Sequence, residues 1–316
     1  MRNVDVIIPT HNCIYISEAI ESVLKQTNRD LHITIVDDGS TDDTKNIVAE
    51  FTDTFPGRIS YHFQKQKGPA AARNTGIRKS NNEYIAFLDA DDRWLPKKIE
   101  KQLALFNHNP EIGFVYCDNY FMDQDGKIIN DYVRKVKLVE GDILLDFFMD
   151  FFLITSSIIL KRSCLKQSGI FNENLEVGED FEFFFRLAKY FRAGVVKEKL
   201  FERRVWTESL SKQNFELNKK IDIQTVTRFI KNNKNFYAEN RKDIDVRMNQ
   251  LYTKFGYAYL EHGKNWKAYK SFLEARKYNK RSLKLKYLIL CLLPLFVKRT
   301  LKRILYAKSK RYHTYL

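Results

Sequence analysis

Val4-Asp5-Val6-Ile7-Ile8 runs directly into Pro9-Thr10-His11-Asn12. An apolar run, β-branched apart from Asp5, gives way at once to polar residues. This reads as a buried strand ending at a polar mouth. Downstream, Ile16, Ala19, Ile20, Val23 and Leu24 recur at helical spacing. The alternation continues with a strand at His32–Val36, a helix at Thr44–Phe51 and a strand at Ile59–Phe63. A helix at Ala70–Lys79 and a strand at Tyr84–Leu88 complete it. Strand and helix in strict turn predict an α/β fold, with a mainly parallel sheet flanked by helices. Ligands of such sheets bind beyond the carboxyl ends of the strands. Pro9–Asn12, Asp37–Ser40 and Asp89–Asp92 all fall there.

Composition narrows the class. The chain has 316 residues, 44% of them hydrophobic and 29% charged, which suits a globular protein and neither a collagen-like nor a disordered one. Four scattered cysteines form no C-x-x-C pair, and six histidines form no ligand-spaced cluster. A disulfide framework and a zinc site are therefore poor readings, and a reducing compartment is the better one. The net charge is +15, and it is concentrated at one end: Ala275 to Leu316 holds 13 Lys or Arg and no Asp or Glu. That asymmetry implies an anionic partner, a membrane surface or a nucleic acid. The polar stretch Pro9–Asn12 cuts the first apolar run too short for a signal peptide. Tyr287–Val297, the longest apolar run, is too short to span a bilayer, which takes about 20 residues.

Beyond Asp92 the pattern is mixed. Helices are expected at Lys97–Phe106, Gly141–Phe152 and Asp180–Tyr190, strands at Gly113–Cys117 and Ser157–Leu160, and a hairpin turn at Asp123–Gly126. From about Phe215 strand signals cease. Phe255–Leu260, Gly263, Ala268, Phe272 and Ala275 suggest a helical hairpin similar to one tetratricopeptide unit. Three regions are expected: 1–214, 215–282 and a basic, apolar tail at 283–316.

Four local features carry chemistry, each beside a plainer account. Asp89-Ala90-Asp91-Asp92 places carboxylates at the end of a strand, where they can hold a hard divalent cation or simply cap the next helix. In Asp37-Asp38-Gly39-Ser40-Thr41-Asp42-Asp43, Ser40 and Asp43 form a near capping box, while the preceding carboxylates can accept from a base N–H. Gly68–Gly76 is a small-residue segment opening a helix; it suits close helix–sheet packing, or places Arg73 toward a phosphate. Glu179-Asp180 opens a helix, so the acids complement its dipole, or Asp180 acts as a general base.

Together these motifs resemble glycosyltransferase family 2, inverting enzymes with the GT-A nucleotide-sugar fold. The resemblance runs through Val4–Asn12, Val36–Asp42, Gly68–Gly76, Tyr84–Asp92 and Gly178-Glu179-Asp180-Phe181-Glu182 to the Arg204–Ser211 stretch, about residues 1–212. It implies that Pro9, Thr10 and His11 line the base and ribose pocket, that Asp38 reads the base and that Arg73 supports the nucleotide. Asp89 and Asp91 form the D-x-D pair, Asp89 toward the ribose and Asp91 toward a Mn²⁺ or Mg²⁺ ion on the diphosphate. Asp180 is the implied base. This chain departs from the family pattern at Trp206, where many relatives carry His, and at His11, where Tyr is commoner.

The function expected is sugar transfer from a nucleotide sugar, a UDP-sugar first, to a hydroxyl of a surface polysaccharide or lipid-linked glycan. Polyprenyl phosphate as acceptor, or an inactive relative acting as a scaffold, are the alternatives. No nucleic-acid motif accompanies the basic tail. The tail instead suits an anionic membrane, with the protein peripheral on the inner face of the cell membrane.

Overall fold

The computed structural model describes residues 4–130, 137–175, 177–205, 215–279 and 285–292. Trp206 and the rest of the 206–214 stretch lie outside them, as do residues 293–316. The chain divides into two compact units, Met1–Phe229 and Ile230–Leu316.

The first unit is built on strands β1 (Val4–Thr10), β2 (Leu31–Asp37), β3 (Ile59–Phe63), β4 (Tyr84–Phe87), β5 (Arg93–Trp94), β6 (Ile112–Met122), β7 (Ile159–Lys161) and β8 (Arg192–Arg204). They form one sheet in the order β3-β2-β1-β4-β7-β6-β8-β5. The β1–β2, β2–β3, β1–β4 and β6–β8 pairs are parallel; β4–β7, β6–β7 and β5–β8 are antiparallel. Helices α1 (Ile16–Leu24), α2 (Thr44–Thr54), α3 (Pro69–Lys79) and α4 (Lys98–His108) follow in chain order. After them come the short α5 (Leu144–Met149) and α6 (Leu165–Ser168), then α7 (Glu179–Tyr190) and α8 (Phe215–Asn232). The expected alternation over the first 88 residues is present.

Packing follows the apolar periodicity. Ile16, Ala19, Ile20 and Val23 of α1 are wholly buried with Val4, Val6 and Ile8 of β1 in one core. The small residues of α3 serve close approach: a Cβ on Gly76 would lie 2.4 Å from Ile7 Cγ2. Phenylalanines cluster elsewhere in this unit. Phe87 of β4 meets Phe171 and Phe183 edge-on, and Phe185 lies 4.9 Å from Phe147. These contacts seat α7 on the sheet. Each such ring pair adds about 0.5–1.5 kcal/mol beyond its burial.

Three local expectations change. The helix expected over Gly141–Phe152 is confined to Leu144–Met149. The strand expected at Gly113–Cys117 extends to Met122 and pairs with β8, a strand that no sequence pattern indicated. Ser40 and Asp43 do not cap α2. Instead Asp42 Oδ1 accepts from the Thr44 amide, and Ser40 Oγ accepts from the Asn12 amide.

The second unit contains α9 (Lys234–Glu239), α10 (Arg241–Glu261), α11 (Asn265–Tyr278) and α12 (Leu285–Leu292). α10 and α11 form the expected hairpin, turning at Gly263 with φ +70°. Gly256 lets the Phe272 ring lie where a Cβ would stand 2.5 Å from it.

Candidate active site

The candidate residues gather at the carboxyl ends of the strands, as the topology requires. Pro9 and Thr10 end β1, in register with Val36 and Asp37 of β2. The Thr10 carbonyl accepts from the Asp38 amide at 2.8 Å, while the Thr10 hydroxyl is buried with no partner among the described residues. His11 Nδ1 donates to the Asp38 carbonyl at 3.0 Å, since that oxygen can only accept. The tautomer leaves Nε2 to accept from Gln66 Nε2 at 3.2 Å. Asn12, at φ +49°, holds the next loop: its Oδ1 accepts from the Thr41 amide at 2.8 Å.

Asp38 organises the approach to α3. Its Oδ1 accepts from Gln64 Nε2 (2.7 Å) and the Lys67 amide (2.9 Å), and its Oδ2 from the Gly68 amide (2.7 Å). A carboxylate offers about four acceptor positions. These three bonds leave room for one more donor.

Arg73, from α3, is buried and donates to two acids far apart in sequence. Nη2 reaches Asp89 Oδ1 at 2.8 Å and Nη1 reaches Glu179 Oε1 at 2.9 Å. Burial opposes its charge, but Asp89 and Glu179 outweigh that and raise its pKa. The guanidinium also faces the Phe171 ring at 5.4 Å. Through this one side chain the first turn of α7, and so Asp180, is tied to the D-x-D strand end.

Asp180 is half-buried, and its Oδ1 accepts from the Phe181 amide of its own helix. Burial, then repulsion from Glu179, push its pKa up to about 6, against the opposing pull of Arg73. A carboxylate so placed is ionised at neutral pH and a stronger base than an exposed one.

At the strand end, Asp89 is partly exposed and Asp91 half-buried, whereas Asp92 is buried. Asp92 turns inward: Oδ2 accepts from Ser156 Oγ at 2.6 Å and Oδ1 from the Arg204 amide at 3.0 Å. Burial first, then the charges of Asp91 and Asp89, push its pKa up to about 8. The third acid is a structural post, whereas Asp89 and Asp91 keep part of their surface exposed.

Two side chains to which the sequence assigned no role of their own complete this turn. Ser156 Oγ also accepts from the Asp89 amide at 3.1 Å. Arg204, with a fully buried side chain, donates from Nε to the Asp91 carbonyl and from Nη1 to the carbonyls of Asp123 and Gln124. Its Nη2 reaches Glu18 Oε2 at 2.8 Å, and its guanidinium lies 3.7 Å from the Tyr15 ring centre. Arg204 opens a stretch that resembles the family, yet only its burial shows that it braces the D-x-D turn.

The α/β sheet thus carries paired carboxylates at one strand end and a half-buried carboxylate in the first turn of α7, joined through Arg73. The profile of the family described as "Glycosyl transferase family 2" matches residues 5–166, and the chain belongs to that family. Among its relatives, an uncharacterised glycosyltransferase of Rickettsia conorii is 35% identical over 205 residues, 64% of this chain and 33% of the relative. Chondroitin synthase of Escherichia coli is 32% identical over 233 residues, 72% of this chain and 31% of the relative. The matches thus span about a third of those relatives' length. In three dimensions the chain is similar to TarS 1–349 of S. aureus in complex with UDP-GlcNAc. That likeness has a TM-score of 0.57 at 16% identity, covering 95% of this chain and 92% of the other. It shows the shared GT-A fold.

Proposed function

We propose that the chain is an inverting, metal-dependent glycosyltransferase that moves a sugar from a UDP-sugar to a hydroxyl of a glycan or lipid-linked glycan. The observation that carries this reading is the Arg73 bridge, which joins the Asp89 strand end to the helix turn bearing Asp180. Donor-binding acids and an acceptor-side base are thereby held in one frame. The UDP-sugar bound by TarS and the polysaccharide named in chondroitin synthase support the substrate classes.

The donor's base and ribose are assigned to Pro9, Thr10, His11 and Asp38, where the partnerless Thr10 hydroxyl and the one open acceptor position of Asp38 await donors or acceptors. Asp180, ionised, takes the proton from the acceptor hydroxyl. That oxygen attacks the anomeric carbon as the bond from this carbon to the diphosphate breaks, and UDP leaves with the electron pair. A single displacement inverts the anomeric centre.

The donor set suits Mg²⁺ or Mn²⁺. It is all carboxylate oxygen, the donor type these hard ions take. Such ions are held by one or two carboxylates and complete their shell with water and substrate phosphates. Asp91, with Asp89 beside it, would hold the ion. When bound, it supplies Lewis-acid stabilisation of the departing diphosphate.

The basic tail at 283–316 is assigned to the anionic inner face of the cell membrane. No helix among the described residues is long and apolar enough to cross a membrane, and the flanking Lys and Arg residues favour an anionic surface.

The test is hydrolysis and transfer with a panel of nucleotide sugars, with and without Mn²⁺. UDP-sugar turnover stimulated by Mn²⁺, and lost in Asp91→Ala with the fold intact, is expected. Equal stimulation of the Asp91→Ala protein would overturn the metal assignment.

A further inference from the structure

Helix α11 is two-faced in a way that the hairpin does not use up. Ala268, Ser271, Phe272 and Ala275 are buried toward the hairpin core. Trp266, Lys270, Leu273 and Lys277, spaced by three or four residues, share the opposite face. The Trp266 side chain is 63% exposed and Leu273 is 38% exposed. The indole stacks on Tyr269, with ring centres 5.5 Å apart and planes at 9°, and Lys270 Nζ lies 5.4 Å from the indole centre. The helix carries Lys267, Lys270, Arg276 and Lys277 against Glu274 alone, and no acid follows in the remaining chain. On α12, Ile289 (49%) and Leu292 (69%) are exposed as well.

We propose that this face of α11 is a lipid-docking surface for an anionic membrane, separate from the tail. Trp266 and Leu273 would enter the boundary between headgroups and acyl chains, and Lys270 and Lys277 would meet lipid phosphates. Three physical arguments select a membrane as the occupant. Tryptophan and tyrosine favour the water–lipid interface, where the ring is apolar and its edge is wet. Lysines beside the apolar stripe match an anionic surface in charge, and their long stems let the ammonium groups reach the headgroups. The face is also a narrow convex stripe lined by lysine, a residue depleted from protein–protein interfaces.

The experiment uses the full chain with vesicles of phosphatidylglycerol and phosphatidylcholine, or of phosphatidylcholine alone, some bearing brominated acyl chains. Flotation and tryptophan fluorescence are read at low and high salt. Brominated anionic vesicles should quench part of the emission, and Trp266→Phe should remove that part. Trp266→Ser with Leu273→Ser should weaken binding to anionic vesicles by about tenfold or more. Circular dichroism of both variants should match the parent, since the substituted side chains are exposed. Flotation of the parent without quenching of Trp266 would overturn this surface and leave the tail as the membrane contact. Failure of the full chain to float, or Trp266 emission that shifts with protein concentration in the absence of vesicles, would overturn it too.

Discussion

Glu179 and Asp89 stand 90 positions apart in sequence, yet they accept from the two terminal nitrogens of the same Arg73 guanidinium, at 2.9 and 2.8 Å. The relationship makes Arg73 the fastener between the Asp89 strand end and the first turn of α7, which bears Asp180. It also explains a buried cation in a largely apolar helix face.

Removing that fastener should therefore loosen both halves. Arg73→Met leaves Glu179 buried without its cation and Asp89 half-released. Breaking a buried pair costs about 3–5 kcal/mol, and the partial exposure of Asp89 places the loss near the lower figure. Thermal unfolding measures it. An unchanged midpoint would mean that Arg73 bears no structural weight.

The pH dependence of transfer should report Asp180. With its pKa pushed up to about 6 by burial and by Glu179, the base is ionised above that pH and proton-blocked below it. Turnover should fall about tenfold per pH unit once the pH is well below 6. Asp180→Asn should retain UDP binding, lose about 10²–10⁴-fold in turnover and show no such acid limb. Near-normal turnover in that variant would return Asp180 to the role of a helix cap.

Lys98 offers a separate test, away from the site. It is wholly buried, with Nζ 4.0 Å from the Trp94 ring centre and donating to Gln102 Oε1 at 2.7 Å. Burial pushes its pKa down from the ordinary 10.5 to about 8. Between those pH values the unfolded chain holds a proton that the folded chain has lost, so stability rises with pH across that window. The gain should be on the order of 3 kcal/mol. Denaturant unfolding at pH 7.5 and 10.5 should show this rise in the parent and not in Lys98→Met. An equal rise in both proteins would assign it to other groups.

In the helical hairpin, Gly256→Ala should force the Phe272 ring aside. The added methyl would stand 2.5 Å from that ring, and overpacking of this kind costs about 1–3 kcal/mol. Alanine's better helix propensity returns up to about 1 kcal/mol. A net loss of helical signal at lower temperature is expected, and a stabilised protein would show that the hairpin can shift freely.

Much of the fold was legible from residues 4–88, because parallel α/β structure is written in short-range periodicity: buried strands as apolar runs, covering helices as one-sided stripes. The candidate acids were legible for the same reason, since each follows a recognisable strand end or opens a helix. β8 was not. Its stretch Lys197-Glu198-Lys199 falls at a register shift against β6, where Cys117 pairs with Val196 and Asp118 with Lys199, so Lys197 and Glu198 are exposed and β8 lacks the continuous apolar run of a buried strand.

What the sequence alone determined was the order of strands and helices over residues 4–88 and the strand and helix ends where the carboxylates lie, both properties of neighbouring residues. Only the tertiary structure decided which acids stay partly exposed and which brace the fold. Asp91 and Asp92 are adjacent and chemically identical, yet Asp92 is turned inward by Ser156 and by the Arg204 amide, 64 and 112 residues away. Burial and pairing across such separations depend on how the whole sheet closes, and no local pattern of residues encodes that.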